Sequence, residues 1–203
     1  MLNRMRVAFL IVGMLAIAAN ARAEVYWSEE FGAEVYRNEE FGIEIPIAEG
    51  AFLCPKLDGE HDHGPLFLLG VPDPRRCSTD NKQTRYIAIW AEHNAADVTK
   101  YLRDYFNSQC GVAGGPCGPA PDSLEITALP SASGRVNHPD GWTDVIVVTQ
   151  AGKPDPAYDP SVASVNYCLG LHTNLEYMEE DLRVFRCILK TIRINPDVEN
   201  KGH

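Results

Sequence analysis

The sequence lacks most of the short motifs that carry enzyme chemistry. There is no G-x-S-x-G elbow to present a serine nucleophile, no H-E-x-x-H zinc helix, and neither a P-loop nor a G-x-G-x-x-G phosphate cradle. No two cysteines stand as C-x-x-C, which removes the signature of a thioredoxin-type redox centre and of a zinc ribbon. Basic charge is also scarce, with 18 Lys and Arg against 28 Asp and Glu and a formal net charge of -10. A chain of that sign repels nucleic acid and anionic lipid, so a basic partner suits it better. After the first two dozen residues no apolar run is long enough to cross a bilayer.

What is present at the start reads as an address. Arg4 and Arg6 precede an apolar run from Val7 to Ala19, and Ala21-Arg22-Ala23 supplies the small-x-small pattern of a cleavage site. Residues 1–23 are therefore expected to be a secretory signal, cut near Ala23, that delivers the remainder to the periplasm or the outside. All six cysteines, Cys54, Cys77, Cys110, Cys117, Cys168 and Cys187, follow that cut. An even number in an exported chain points to disulfides, and proximity suggests Cys54–Cys77, Cys110–Cys117 and Cys168–Cys187.

The next feature is a duplication. Glu24-Val-Tyr-Trp-Ser-Glu-Glu-Phe-Gly-Ala33 is followed by Glu34-Val-Tyr-Arg-Asn-Glu-Glu-Phe-Gly-Ile43. Two copies this short cannot stack into a core. The second leads into the alternating Phe41-Gly-Ile-Glu-Ile-Pro-Ile47 and belongs to the fold; residues 24–33 read as an extra arm, on a sheet edge or mobile. Such an arm could pair with a sheet edge of another chain. Tyr26, Trp27 and Tyr36 in the repeat, and Tyr158 in the proline-rich loop 153–160, are the residue types that anchor interfaces.

Strands are expected at Pro65–Val71, Arg85–Ala91, Leu124–Leu129, near Arg135–Asn137, at Trp142–Thr149 after the Asp140-Gly141 turn, and at Val162–Leu171. A helix capped by Asn94 would run to about Asn107, and a strongly amphipathic one from about Leu175 to Thr191 would present Met178, Leu182, Phe185, Leu189 and Ile192 on one stripe. That order gives an α+β fold, a mostly antiparallel sheet covered by two helices, in one domain over 34–196 with a polar tail at 197–203. The opening Phe41-Gly-Ile-Glu-Ile-Pro46 and the closing Phe185-Arg-Cys-Ile-Leu-Lys-Thr-Ile-Arg-Ile194 resemble the ends of the PsbP-like α/β/α sandwich family. The resemblance implies a small exported accessory or binding domain, and it transfers no functional residue.

One loop concentrates chemistry. Between Cys54 and Cys77 lie Glu60-His61-Asp62-His63-Gly64 and Asp73-Pro74-Arg75-Arg76. In an extended segment His61 and His63 face the same side, so they are the candidate ligands of a transition metal, with Glu60, Asp62, Asp73 or His93 to complete the set. Alternatively the disulfide presents His61, Asp62, His63, Arg75 and Arg76 as a contact surface. Ser131 and Ser133 sit in what reads as a plain turn, and paired cysteines offer no thiolate. The sequence thus points to an exported, non-catalytic domain recognising a protein partner, in an accessory, inhibitor or immunity-type role. The competing expectation is a metal-binding protein or metal-dependent hydrolase built on the His61/His63 loop.

Overall fold

A computed structural model describes residues 23–54, 63–70, 77, 84–94, 101–122, 124–154 and 163–198. The duplicated segment opens it as a hairpin. β1 (Glu24–Ser28) lies antiparallel to β2 (Ala33–Asn38), with Glu24 opposite Arg37 and Trp27 opposite Glu34. β2 turns through Glu39–Gly42 into β3 (Ile43–Pro46). The arm is thus the edge of a four-stranded sheet, ordered β1-β2-β3-β11, which β11 (Arg193–Ile194) closes from the far end of the chain.

The larger sheet has seven strands. β4 (Ala51–Leu53), β5 (Leu66–Leu69), β6 (Tyr86–His93), β7 (Gly118–Pro119), β8 (Ser131–Asn137), β9 (Trp142–Ala151) and β10 (Val165–Asn174) are ordered β4-β5-β6-β10-β9-β8-β7, every pair antiparallel. Side chains alternate across each strand. Ile87, Leu171 and Val145 form one cross-strand row, and Ile89, Leu169 and Val147 another. These rows face the main core, where they meet Phe41 of the β2–β3 turn, Ile43 and Ile45 of the small sheet, and Leu182, Phe185, Ile188 and Leu189 of helix α2 (Met178–Thr191).

α2 forms where fourteen residues without glycine or proline follow an Asx turn. The Asn174 side chain accepts from the backbone N–H of Glu176 and of Tyr177. Glu179, Glu180 and Asp181 in its first turn and Lys190 in its last suit the helix dipole. Helix α1 (Leu102–Val112) covers the opposite face, packing Tyr105 on Ile146 and Val148. Gly134 permits this close approach: a Cβ there would lie 2.7 Å from Phe106 Cζ and 2.8 Å from Cys117 Cβ. The mostly antiparallel α+β class expected from the sequence is what the structure shows, with the sheet content split in two.

Four expectations are corrected. Only Cys54–Cys77 and Cys110–Cys117 are bonded, and Cys168 and Cys187 are free thiols. The alternation of β10 explains why. Tyr167, Leu169 and Leu171 point to α2, so Cys168 between them points to α1, while Cys187 sits on the exposed side of α2. Residues 124–129 are buried at Leu124 and Ile126 but form no strand. Their backbone N–H groups go to Ser131 Oγ and the Leu189 carbonyl, and Ala128 adopts a left-handed φ of 65°. The first helix begins at Leu102, after Tyr101, and runs on through Cys110. Asn94 lies eight residues ahead of that start, and its side-chain amide donates to the Ala163 carbonyl; residues 95–100 are outside the described ones. Ser131 and Ser133 lie within β8, not in a turn.

Candidate functional site

Three histidine and aspartate side chains converge on the α1 side of the large sheet. The β9–β10 register sets Asp144 directly opposite His172, and the β6–β10 register sets His172 opposite Tyr86. His138 joins them from the turn between β8 and β9. That turn is closed by the His138 N–H donating to the Trp142 carbonyl and the Gly141 N–H donating to the His138 carbonyl. Gly141 takes a φ of 87°, the conformation glycine alone adopts cheaply.

Asp144 binds both imidazoles. His172 Nδ1 donates to Oδ1 at 2.6 Å and His138 Nε2 donates to Oδ2 at 2.7 Å. Burial works to raise the Asp144 pKa, but the two hydrogen bonds and the nearby imidazoles outweigh it and hold the carboxyl below its ordinary range. The His172 ring is itself clamped, stacked on Trp142 at 4.7 Å and on Tyr86 at 5.0 Å between centroids. A carboxylate that fixes an imidazole's proton and a pair of rings that fixes its plane together make a rigid platform.

The platform forms one end of a groove of about 440 Å³. Gly170 lies on its floor, where an added Cβ would meet nothing within 4 Å; Cys168 and Ile146 continue the floor, and Gln109 and Val112 of α1, with Ala113 at its C-terminal end, make a wall. Asp140 stands with Trp142 at the groove as well. This size is ordinary for a site that takes a small molecule or a partner's side chain. Part of Cys168 remains open to solvent, yet burial, with a smaller push from the charge of Glu92, drives its thiol up to about 12. A thiol so held stays protonated at neutral pH and is a poor nucleophile.

Because the Asp144 pKa is depressed by folding, its contribution is present above the unfolded carboxylate value and is lost as pH falls through the folded one. Asp144→Asn is therefore expected to remove about 1.5–3 kcal/mol of stability at neutral pH. It should also flatten the acid limb of a stability–pH curve below about pH 4. Urea titrations from pH 2 to 7 check both, and an unchanged acid limb would show that the two imidazole bonds are not what holds the carboxyl down.

Glu60, His61, Asp62, Asp73, Arg75, Arg76 and Tyr158 are outside the described residues. His63 is described: its Nδ1 lies 3.0 Å from the Ala91 carbonyl, and its ring stacks on Trp90 at 4.2 Å. The neighbouring Gly64 has a φ of 148° and would, with a Cβ, collide with the Ile89 carbonyl at 2.2 Å, so the strand edge fixes His63 tightly against β6. His63 and His93 both meet the Phe41 ring, and His93 has Glu40 within 3.7 Å. Among the described residues no three His, Cys, Asp or Glu side chains are placed to hold one metal ion. In the Asp144 cluster the carboxylate lies between the rings, so its oxygens take the imidazole nitrogens rather than share a common point with them.

Sequence reasoning missed His138, Asp144 and His172 because register alone brings them together. The available signal was the alternation of Trp142 and Asp144 after the Asp140-Gly141 turn, with one histidine before it. Among the described residues no helix is long and apolar enough to cross a membrane. Compared with protein-family models, curated proteins and solved structures, the chain matches none.

Proposed function

We propose that this chain is an exported, non-catalytic binding domain that recognises a protein partner through the α1 face of its large sheet. The observation that carries the reading is the groove at Trp142, His172 and Tyr86. Its aromatic platform is locked before any ligand arrives, so little ordering cost opposes binding. Both Asp144 oxygens are engaged by imidazoles and the floor thiol is held protonated, which suits recognition better than bond-making. Asp140 beside the Trp142 ring suits a basic side chain, which could meet a carboxylate and an aromatic face together. That agrees with the acidic composition of the whole chain.

The same face of β6 runs from Tyr86 and Ala88 at the groove to Trp90, where His63 is stacked. His61, Asp62, Arg75 and Arg76, the other contact residues expected from the sequence, are outside the described residues. Export is supported by the signal-like residues 1–23 and by the two disulfides, which persist in oxidising compartments. The likeness of the chain's two ends to PsbP-like accessory domains is in keeping with this role.

Site-specific photocrosslinking in the producing cell tests the proposal. A photoreactive residue at Val112, exposed on the groove wall, should give one adduct of defined mass, and the same probe at Glu179, exposed on α2, should give none. Trp142→Ala should abolish the Val112 adduct. No adduct at Val112, or equal labelling at Glu179, would overturn the assignment of this face.

A further inference from the structure

The small sheet ends on β1, and among the described residues nothing pairs the outer edge of that strand. A row of free N–H and C=O groups recruits another strand unless proline, lysine or a bulge blocks it. β1 reads EVYWS and carries none of these. Its Val25 and Trp27 are 48% and 65% exposed. They lie on the face that continues the core: Val25 is opposite Tyr36, which is opposite Ile45, and both of those are buried.

We propose that β1 pairs antiparallel with β1 of a second copy of this chain, about a twofold axis through Tyr26. The two four-stranded sheets then join into one continuous sheet. A twofold axis perpendicular to a sheet keeps each side chain on its own face. Self-pairing therefore joins only residues of like parity, and the axis must pass through a residue. Placed at Tyr26, it uses all five residues of the strand. Val25 then faces Trp27 of the other copy, twice, closing four exposed apolar side chains into one patch, and Tyr26 meets Tyr26 on the opposite face. Glu24 falls opposite Ser28, so no carboxylate meets another, which matters in a chain with a net charge of -10. Moving the axis to Trp27 would set Val25 against Glu29 and forfeit the match, and moving it to Val25 would leave both Trp27 and Ser28 beyond the strand's pairing. The complementarity of the strand with its own reverse is what selects a second copy as the occupant.

Sedimentation of the chain purified from producing cells tests this. The mass should move from one copy to two as concentration rises, and Trp27→Glu should weaken the association by at least about tenfold without changing the urea midpoint. In a Cys187→Ser background, which removes the exposed thiol, Tyr26→Cys should give a disulfide-linked dimer under mild oxidation. Glu24→Cys and Ser28→Cys should each fail alone and crosslink when mixed. A single-copy mass up to millimolar concentration would overturn the proposal and leave the edge to a different chain. A dimer whose crosslinks ignore this pattern would overturn it too, by placing the interface elsewhere.

Discussion

Replacing Arg85 by alanine is expected to cost about 3–5 kcal/mol, among the largest losses of any single substitution in this chain. Arg85 Nη1 donates to Asp181 Oδ1 at 2.8 Å, with the two side chains 12% and 2% exposed. Thr173 donates to the other carboxylate oxygen at 2.5 Å, and the guanidinium lies over the Tyr177 ring at 3.8 Å. Without Arg85, Asp181 would be a buried charge whose remaining side-chain partner among the described residues is the Thr173 hydroxyl. Burial already raises the Asp181 pKa in spite of Thr173 and Arg85. A raised carboxylate favours the folded state at acid pH and loses that advantage as pH rises through the folded value, so at neutral pH Asp181 strains its site. Two consequences separate this account from a simple count of ion pairs. Asp181→Asn should cost clearly less than Arg85→Ala, because an amide keeps an acceptor for Thr173 and needs no counter-charge. The double variant Arg85→Met/Asp181→Leu should recover most of the loss. Urea denaturation of the four proteins at pH 7 decides it, and equal losses for the two single variants would refute the asymmetry.

The pair also shows what one strand's sequence does and does not reveal. Arg85 stands just ahead of β6, a strand legible from its alternation, and Asp181 sits in a helix legible from its 3.6-residue stripe. Nothing local announces that the two meet 96 residues apart. Central strands and α2 were readable because burial of one face imposes the period directly on the residues. Segment 124–129 misled for the same reason: Leu124 and Ile126 alternate into the core, but no neighbouring strand takes their backbone groups, and burial without a ladder is not a strand. The Cys168–Cys187 pairing failed on parity. Tyr167, Leu169 and Leu171 already claimed the α2 side of β10, so the even position between them had to face away.

The candidate site was the least legible part, again for a physical reason. His138, Asp144 and His172 are ordinary polar residues one at a time, and each has its partners only after β9 and β10 are in register. The candidate residues of the disulfide excursion are legible in the sequence because they are neighbours along the chain, and most of them are outside the described residues. Of its five proposed contact residues only His63 is described, and its ring is occupied with Trp90. Tyr86, Ala88 and Trp90 share a parity on β6, so the ring that His63 stacks on belongs to the strand face that lines the groove.

Tyr167→Ala is expected to rival Arg85→Ala, at about 3–5 kcal/mol, because it breaks the joint between the two sheets. The ring is completely buried on β10 between Ala91 and Thr149, and its hydroxyl donates to the Phe41 carbonyl at 2.6 Å, in the turn that connects β2 to β3. One side chain thus ties the seven-stranded sheet to the four-stranded one by packing and by a hydrogen bond. Tyr167→Phe separates these parts. It keeps the packing, leaves the Phe41 carbonyl without that donor, and should cost about 1–3 kcal/mol. Burial also raises the Tyr167 pKa well above its ordinary value. The stability that goes with the neutral phenol is complete below the unfolded value near pH 10 and drains away as pH rises beyond it. Tyr167→Phe has no such proton to lose, so the gap between it and the native chain should narrow between about pH 10 and 11.5. Chemical denaturation at pH 7 and across that alkaline range measures both terms, and a gap that stays constant would mean that the hydroxyl is reached by solvent before the sheets part.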